Sequence, residues 1–412
     1  MFENGNAHEL KTCLACGSDD LNLILDLHQQ PLANSYKLAK DEAQESFPLA
    51  INHCKKCHHV QLTHAVNPDL MFKDYLYVSG TSKTMDEHFE WFADYAVEYR
   101  NMYKGFKRTQ SVLDIGCNDG SQLNHFKKLG IATFGVDPAE NLYPISSKDH
   151  MIYCDYFDES FVEINDAPHD IIIAQNVFAH NYDPLAFLKA ASRLMYSDTL
   201  LFIQTSQANM ILNNEFDTIY HEHISFYNIN SMNELCKRAG LHLIDVTKCP
   251  LHGTSYIFVI ALTDGRPANV SNLIDMERKA GLLTDSTYIE YAEKCKSIVS
   301  VLTDTLNAAK NDGYKLVGYG AAAKGMTLLN YGNIQLDYII DDNPLKQNRY
   351  TPGISIPIVS SSVLSEIDAN DKVLFIPLAW NFFKEIREKI ESKRKNINDK
   401  FISYFPRVEI FE

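Results

Sequence analysis

The chain has 412 residues, enough for two to four domains at about 100–200 residues per domain. Hydrophobic residues make up 45% and charged residues 22%, an ordinary globular composition that excludes a largely disordered or fibrous chain. With 38 Lys and Arg against 53 Asp and Glu, the formal net charge is −15, which disfavours nucleic acid or an anionic membrane as partner.

The sequence carries no sign of a membrane span or a leader. No apolar run approaches the length of about 18 residues that marks a transmembrane helix. The first residues, MFENGNAHELKTC, lack the basic start and apolar stretch of a secretory signal. We therefore expect a cytoplasmic protein with reduced thiols, in which nine cysteines favour metal ligands and buried thiols over disulfides.

Two Cys-x-x-Cys pairs stand near the N-terminus, Cys13 with Cys16 and Cys54 with Cys57. Two such turns complete a tetrahedron of sulfur around one ion, and four thiolates close its shell, which predicts a structural zinc. The segment between the pairs exceeds the about 15–20 residues of a compact zinc ribbon, so we expect an elaborated one. Four unrelated thiols, or a redox pair, are the alternatives. Three histidines that could replace a cysteine lie beside the pairs: His53, His58 and His59.

The segment after this module predicts an amphipathic helix from about Thr84 to Tyr103, with an aromatic stripe that indicates core packing. Tyr75 and Tyr77 precede the helix in a loop rich in serine, threonine and glycine. Such a loop is suited to line a pocket.

Strand and helix patterns then alternate, which predicts a parallel sheet covered by helices. In SVLDIGCNDGS, a strand runs into a turn at Gly116 and Gly120, and the next strand ends in Asp137. An acid in that position accepts hydrogen bonds from ribose hydroxyls. The turn, Asp-x-Gly-x-x-x-Gly, lacks the glycine triplet that cradles a diphosphate. It therefore favours S-adenosylmethionine (SAM) over NAD, with a sheet that has lost its ligand as the alternative.

Later strands add polar residues at the same edge of the sheet. A third strand ends near Asp155, where a carboxylate would meet the adenine amino group, and a fourth ends in Gln175 and Asn176. The predicted cofactor-binding residues are Asp114, Gly116, Asn118, Gly120, Asp137, Asp155, Tyr156 and Asn176.

Four consecutive residues, Tyr220 to His223, follow the fifth predicted strand as Tyr-His-Glu-His. As an extended segment it would place His221 and His223 on one face and Tyr220 and Glu222 on the other. The spacing excludes the His-Glu-x-x-His zinc motif. His180 lies just past the fourth strand, and several histidines at the edge of a cofactor site favour proton transfer.

These features together resemble the bacterial sugar C-methyltransferases, which act on nucleotide-linked 4-keto-deoxysugars. The resemblance rests on the zinc-cysteine module, the Asp-x-Gly-x-x-x-Gly sheet, Tyr-His-Glu-His, and three C-terminal segments, VGYGAAAKGMTLLNY, IDDNPLKQNRYTPGISIPI and PLAWNF. It covers nearly the whole chain, with the motifs in the family's order.

The resemblance implies roles for individual residues. The four cysteines match the family's zinc ligands. His223 matches the favoured general base, Tyr220, Glu222 and His180 match its neighbours, and Tyr75, with Tyr77 as second choice, matches a tyrosine from the loop after the zinc module. The implied reaction removes a proton next to a ketone, and the resulting enolate takes the methyl group of SAM while tyrosine and histidine donors stabilise its oxygen.

The C-terminal third repeats the strand–turn–helix–strand pattern: the interval from Gly116 to Asp137 equals that from Gly320 to Asp341. Gly318, Gly320 and Gly325 suggest NAD, but the alanines after Gly320 do not complete the dinucleotide pattern. A lysine at such a turn suits a diphosphate. By resemblance, this domain holds the nucleotide-sugar, with a solvated surface as the alternative. The predicted substrate-binding residues are Tyr77, His252, Lys324, Asn343, Lys346 and Asn381.

We therefore expect an α/β protein in three parts: a zinc module over 1–80, a doubly wound Rossmann-like SAM domain over 81–270, and a helical connection with a second Rossmann-like domain over 271–412. The expected activity is C-methylation of a nucleotide-linked 4-keto-deoxysugar, at C-3. The alternatives are an O- or N-methyltransferase, a zinc and Rossmann scaffold without activity, and an NAD-dependent sugar enzyme. The sequence leaves the oligomeric state open.

Overall fold

The computed structural model is an α/β protein whose description covers most of the chain. The described residues are 5–73, 78–81, 83–105, 108–206, 209–251, 253–265, 267–368, 370–394 and 396–412. Among the helices of these residues, none is long and apolar enough to cross a membrane.

The N-terminal module has two antiparallel sheets: in one the second strand pairs with the third and the third with the fourth, and in the other the first strand pairs with the fifth. Leu25, Leu27 and Ile51 turn inward from the long pair and are almost fully buried. The strands are β1 (Ala7–Glu9), β2 (Leu21–Pro31), β3 (Ser46–Cys54), β4 (Val60–Leu62) and β5 (His64–Val66).

A helical connection leads to the central domain: α1 (Asp69–Phe72), a 3₁₀ turn (Ser79–Thr81) and α2 (Lys83–Lys104). The predicted helix is confirmed. Its aromatic stripe packs on the central sheet, where Phe92 is buried edge-on to Phe202. The interpretation of this stripe as core packing is therefore correct for Phe89, Phe92 and Tyr99, whereas Trp91 is exposed.

The central domain is a doubly wound sheet. Its strands within the described chain follow the order β12-β13-β10-β9-β6-β7-β8, with β13 antiparallel to both neighbours. The strands are β6 (Ser111–Ile115), β7 (Ala132–Val136), β8 (Met151–Tyr153), β9 (His169–Gln175), β10 (Met195–Ser206), β11 (Ser225–Phe226), β12 (His242–Cys249) and β13 (Ser255–Ala261). The helices are α3 (Ser121–Lys128), α4 (Tyr143–Ser146), α5 (Glu159–Ile164), α6 (Pro184–Arg193), α7 (Met210–Asn213) and α8 (Ile229–Ala239), with 3₁₀ turns at Phe178–His180 and Phe216–Thr218.

Two features of this sheet position the site. The strand order reverses between β6 and β9, and ligands of open parallel sheets bind beyond the carboxyl ends of the strands at such a point. Strand β11 is not part of this central sheet. It pairs with β4 and so extends a sheet of the zinc module. The segment that leads into β11 is therefore held between two modules.

Helices α9 (Pro267–Lys279) and α10 (Asp285–Asn311) lead to the C-terminal domain. Its sheet has the order β16-β15-β14-β17-β18-β19, parallel except for β19. The elements are β14 (Lys315–Tyr319), α11 (Ala323–Tyr331), β15 (Tyr338–Ile340), β16 (Ile358–Val359), β17 (Val373–Pro377), α12 (Phe383–Lys393), β18 (Lys400–Ser403) and β19 (Glu409–Phe411), with 3₁₀ turns at Ser361–Ser365 and Trp380–Phe382.

One hydrophobic core joins the three parts. Leu27 of the zinc module, Phe216 and Ile219 of the central domain, Leu302 of α10 and Met326 of α11 belong to a single buried cluster. Burial of apolar side chains stabilises contacts by about 25 cal/mol per Å², so this shared core fixes the modules against one another.

Candidate active site

The four N-terminal cysteines converge. The Sγ atoms of Cys13 and Cys57 lie 3.5 Å apart, those of Cys16 and Cys54 3.6 Å apart, and all four lie within 4.8 Å of one another. Tetrahedral zinc with Zn–S bonds of about 2.3 Å separates its sulfurs by about 3.8 Å, so the donor set fits this ion. Zinc is the structural metal of this module, and the guanidinium of Arg238 on α8 holds the first knuckle by donating to Ala15 O.

The first glycine turn has a backbone that only glycine adopts without strain. Gly116 has a φ of 76°, and a Cβ there would lie 2.8 Å from Cγ2 of Val177. Asp137, at the end of β7, accepts hydrogen bonds from the amides of Asn118 and Ala139, each at 2.8 Å. Burial raises the pKa of Asp137, although these amide bonds act in the opposite direction.

The predicted cofactor residues surround this turn. Asp114 is buried, and burial raises its pKa well above the usual range, reinforced by the charge of Asp137. Asn176, at the end of β9, has an Oδ1 atom that is buried without a hydrogen-bond partner among the described residues. Such an atom calls for a ligand donor, so the residues fit the cofactor of a SAM domain.

The other predicted cofactor residues lie farther out. Gly120 is the left-handed N-cap of α3. Asn118 uses its Oδ1 atom to accept the amide of Ser79, which ties the turn before α2 to the cofactor site. Asp155 is exposed, and the hydroxyl of Tyr156 donates to Asp69 of α1 at 2.9 Å. The segment that connects the zinc module to α2 therefore lies against the central sheet, at the edge where the cofactor residues follow their strands.

The Tyr-His-Glu-His segment forms a turn, and the expected alternation of an extended segment is wrong. The amide of His223 donates to Tyr220 O at 2.8 Å. This brings the first and fourth residues together, so Tyr220 and His223 share one side and their rings lie 4.0 Å apart. His221 instead faces the zinc module, where its Nε2 atom lies 3.3 Å from Phe47 O.

The contacts of His223 fix its tautomer. Its Nδ1 atom lies 2.8 Å from Thr218 O, and a carbonyl only accepts, so Nδ1 carries the proton of the neutral ring. The Nε2 atom then has a lone pair, which accepts the hydroxyl of Tyr220 at 2.8 Å. His180 stacks on His223 with ring centroids 5.3 Å apart, and burial lowers the pKa of His180 to about 4. His223 is therefore oriented as a base, with a neutral ring beside it.

Glu222 points to the zinc module and the C-terminal domain. It accepts the Asn34 amide at 2.5 Å. Nearby, the Tyr36 hydroxyl and the Lys346 ammonium both donate to Ala321 O, at 2.5 and 2.8 Å. Burial alone would lower the pKa of Lys346, but the nearby Tyr36 and the carboxylates of Asp341 and Glu222 raise it.

The C-terminal glycine turn repeats the contacts of the first. Gly320 donates to Ile340 O at 2.7 Å, as Gly116 donates to Val136 O at 2.8 Å. Asp341 accepts the amide of Ala321 at 2.7 Å, as Asp137 accepts that of Asn118. The equal spacing in the sequence therefore corresponds to two turns of the same kind, one in each Rossmann-like domain.

Residues of the C-terminal domain hold the segment before the Tyr-His-Glu-His turn. The indole of Trp380 donates to Asp217 at 2.8 Å, and the hydroxyl of Thr327 donates to Ile219 O at 3.0 Å. The Lys324 ammonium lies over the Trp380 ring, 4.8 Å from its centroid. Burial raises the pKa of the fully buried Asp217 to about 7, although Lys324 and Trp380 lower it.

The remaining predicted substrate residues divide into two groups. Asn343 and Asn381 are half-buried, Asn343 in the loop after β15 and Asn381 in the 3₁₀ turn after β17, beyond the carboxyl ends of these strands. Three further predicted residues lie outside the described residues: Tyr75, Tyr77 and His252.

Sequence reasoning missed four residues that contact the site: Asn34, Tyr36, Asp217 and Trp380. Asn34 and Tyr36 lie in the loop after β2, where the sequence PLANSY carries no motif that indicates a site. Asp217 sits three positions before the predicted motif, and Trp380 is one of two tryptophans in the chain. Neither residue type indicates its distant partner.

Comparison with protein families assigns each part of the chain. Residues 13–72 match a zinc binding domain, residues 90–246 a methyltransferase domain, and residues 250–406 the C-methyltransferase C-terminal domain. A zinc binding domain, a methyltransferase domain and a C-methyltransferase C-terminal domain thus follow one another along the chain. The enzyme is a SAM-dependent C-methyltransferase with a zinc module, as its cysteine cluster and its sheet also indicate.

A named relative of this C-methyltransferase is the C-methyltransferase NovU of Streptomyces niveus, which is 29% identical over 388 residues, 91% of this chain and 90% of NovU. Solved methyltransferase structures resemble less than half of this chain, and only weakly. The plantazolicin methyltransferase BpumL with SAH is 14% identical and covers 44% of this chain and 86% of its own, at a TM-score of 0.36. A SAM-dependent methyltransferase from Clostridium acetobutylicum is 13% identical and covers 43% and 92%, at 0.35.

Proposed function

We propose that the enzyme methylates a nucleotide-linked 4-keto-deoxysugar at the carbon beside the ketone, C-3, through an enolate. The observation that carries the proposal is the pairing of His223 with Thr218 O, which leaves Nε2 as the basic nitrogen. A methyl transfer to carbon needs such a base, because the carbon must first lose a proton.

The first step belongs to the Tyr-His-Glu-His turn. The C–H bond next to the ketone breaks, its proton passes to Nε2 of His223, and the electron pair moves onto the ketone oxygen. Before the transfer the hydroxyl of Tyr220 donates to Nε2 at 2.8 Å, so it turns from Nε2 to the ketone oxygen as Nε2 takes the proton and the oxygen gains charge. SAM, when bound, supplies an electrophilic methyl group, and the enolate carbon takes it.

The cofactor would lie across the first glycine turn. We assign the ribose hydroxyls to Asp137, the adenine amino group to Asp155, and a donor of the cofactor to the unpartnered Oδ1 atom of Asn176. The other residues that we assign to the cofactor site are Asp114, Gly116, Asn118, Gly120 and Tyr156.

The nucleotide of the sugar would bind at the C-terminal glycine turn. Lys324 lies in the first turn of α11, and the ammonium group of Lys346 reaches the loop before this helix by donating to Ala321 O. Asn343 and Asn381 follow the neighbouring strands β15 and β17. Two cations at the N-terminal end of a helix suit a diphosphate. Tyr75, Tyr77 and His252 remain candidates for the sugar end.

The experiment is a mass-spectrometric assay of the full chain with SAM and a panel of dTDP- and GDP-linked 4-keto-deoxysugars. We expect one sugar nucleotide to gain one methylene while S-adenosylhomocysteine forms, and fragmentation to place the methyl group on carbon. A methyl group on oxygen or nitrogen would refute the proposal. Binding of SAM without methylation of any member would refute the proposed substrate and leave the assignment as a methyltransferase intact.

A matched pair of variants tests the assigned base in this assay. His223→Asn should abolish transfer and keep SAM binding by calorimetry, because His223 is assigned to the sugar and not to the cofactor. The control is His28→Asn, an exposed histidine of the zinc module that should keep full turnover. Retained turnover in His223→Asn would eliminate it as the base.

A further inference from the structure

A second group of metal-ligating side chains lies beside the four cysteines. His53 at the end of β3, His58 just after Cys57 and Asp285 at the start of α10 each present one donor atom, and the three atoms lie within 4.8 Å of one another. We propose that these three residues form a second, zinc-type cation site, with water as its fourth ligand.

The two imidazoles already have the spacing of ligands on one ion. The Nε2 atom of His53 lies 3.0 Å from Nδ1 of His58. At metal–nitrogen bonds of about 2.0–2.1 Å, tetrahedral geometry separates two nitrogens by about 3.3 Å, so an adjustment of a few tenths of an ångström admits the ion. The Oδ1 atom of Asp285 lies 3.8 Å from Nδ1 of His58, within reach through a small side-chain rotation.

The surroundings hold the rings in place. Tyr288, one helical turn after Asp285, stacks on His53 with ring centroids 3.8 Å apart. It lies nearly parallel to His58 as well, and its hydroxyl lies 3.2 Å from His58 O. A site whose ligands are fixed before the ion arrives loses little conformational entropy on binding.

Charge favours a cation at this position. Four thiolates around a divalent zinc leave a net charge of −2 on the neighbouring centre, and Asp285 adds another negative charge. Two imidazoles and one carboxylate are the donors that zinc, cobalt and nickel accept, and three protein ligands with one open position are a recurring zinc arrangement. The ion would cross-link the zinc module to α10, the helix that leads into the C-terminal domain.

The test is a cobalt titration of the full chain whose cysteine site holds zinc. We expect one equivalent of Co²⁺ to bind at micromolar concentration. Its visible ligand-field bands should appear without the thiolate-to-cobalt charge-transfer band in the near ultraviolet, and zinc content should stay at one per chain. Failure of Co²⁺ to bind, or a thiolate band with release of zinc, would overturn the proposal in favour of a simple imidazole–imidazole hydrogen bond.

Variants separate a built site from chance binding. Asp285→Asn and His58→Ala should each weaken Co²⁺ binding at least tenfold and keep the first zinc. Because His58 adjoins Cys57, Asp285→Asn decides the matter if His58→Ala loses both metals. The control is His28→Ala, which removes an exposed histidine whose ring nitrogen lies 3.9 Å from Asp26, and which should bind Co²⁺ as wild type does. Equal binding in Asp285→Asn and wild type would show adventitious metal only.

Discussion

The indole nitrogen of Trp380 lies 2.8 Å from Oδ2 of Asp217, and this bond joins the C-terminal domain to the segment that carries His223. The residue after Asp217 is Thr218, whose carbonyl oxygen accepts the Nδ1 proton of His223. The proposed nucleotide site at Lys324 and the proposed base are therefore connected through three contacts: Lys324 with Trp380, Trp380 with Asp217, and Thr218 with His223.

Replacing Trp380 by phenylalanine tests this connection. The change removes the indole donor to Asp217 and leaves its buried carboxyl group without that hydrogen bond, which costs about 1–3 kcal/mol in the free energy of unfolding. We expect a lower melting temperature and a lower kcat, because Thr218 is no longer held. Trp91→Phe, at the exposed second tryptophan, is the control and should leave both unchanged. An unaltered kcat in Trp380→Phe would mean that the bond to Asp217 does not position His223.

The pH dependence of stability should carry the signature of Asp217. Burial holds its pKa at about 7 in the folded chain, above the ordinary value of 3.8. Below about pH 4 the protonated carboxyl group of Asp217 makes its full contribution to the free energy of unfolding, which is on the order of 4 kcal/mol. This contribution is lost as the pH rises through 7.

Asp217→Asn isolates this effect, because an amide still accepts the Trp380 donor but does not ionise. The melting temperature of the variant minus that of wild type should rise from pH 4 to pH 7.5. A difference that stays constant over this range would mean that Asp217 titrates normally in the folded protein.

The glycine turn of the central domain makes a third prediction. Gly116→Ala places a Cβ 2.8 Å from Val177 on a backbone with a φ of 76°, so we expect the loss of SAM binding by calorimetry. Gly130→Ala is matched, since its φ is 74° and nothing lies within 4 Å of the added Cβ. It should lose about 1 kcal/mol of stability and keep SAM binding. Equal affinity for SAM in the two variants would mean that the glycine turn at Gly116 is not part of the cofactor site.

Zinc should be required for the arrangement of the modules. Cys57→Ser breaks the tetrahedral shell, and the module both pairs β4 with β11 and shares a core with the C-terminal domain. We expect loss of zinc by elemental analysis, a lower melting temperature and no methyl transfer, because metal binding and folding are coupled. Cys154→Ser, at an exposed cysteine, should keep zinc and activity. A zinc-free Cys57→Ser protein with full turnover would contradict a structural role.

The sequence predicts those features that local chemistry determines. The cysteine spacing, the helix after the zinc module and the glycine turns depend on neighbouring residues, and the structure has each of them. The two turns even share their contacts, as Asp137 and Asp341 show. Local patterns suffice here because a Cys-x-x-Cys knuckle or a left-handed glycine is set within a few residues.

The contacts between modules could not be predicted from the sequence, because they join residues that are far apart in the chain. Glu222 meets Asn34 across 188 positions, and Trp380 meets Asp217 across 163. The alternation expected for Tyr220 to His223 is wrong for the same reason. Because that segment is held at one end by Thr327 of α11 and at the other by pairing of β11, it turns where its local pattern predicts extension.

The central claim is that His223 removes a proton from the carbon beside a ketone, and hydrogen–deuterium exchange tests it most directly. The enzyme is incubated in D₂O with its proposed substrate, a nucleotide-linked 4-keto-deoxysugar, and with S-adenosylhomocysteine in place of SAM. Wild type should add one deuterium at C-3 faster than a protein-free sample, and His223→Asn should slow the enzyme-dependent exchange by about 10²–10⁴. Exchange at the wild-type rate in His223→Asn, or methylation by wild type with no exchange at that carbon, would contradict the account.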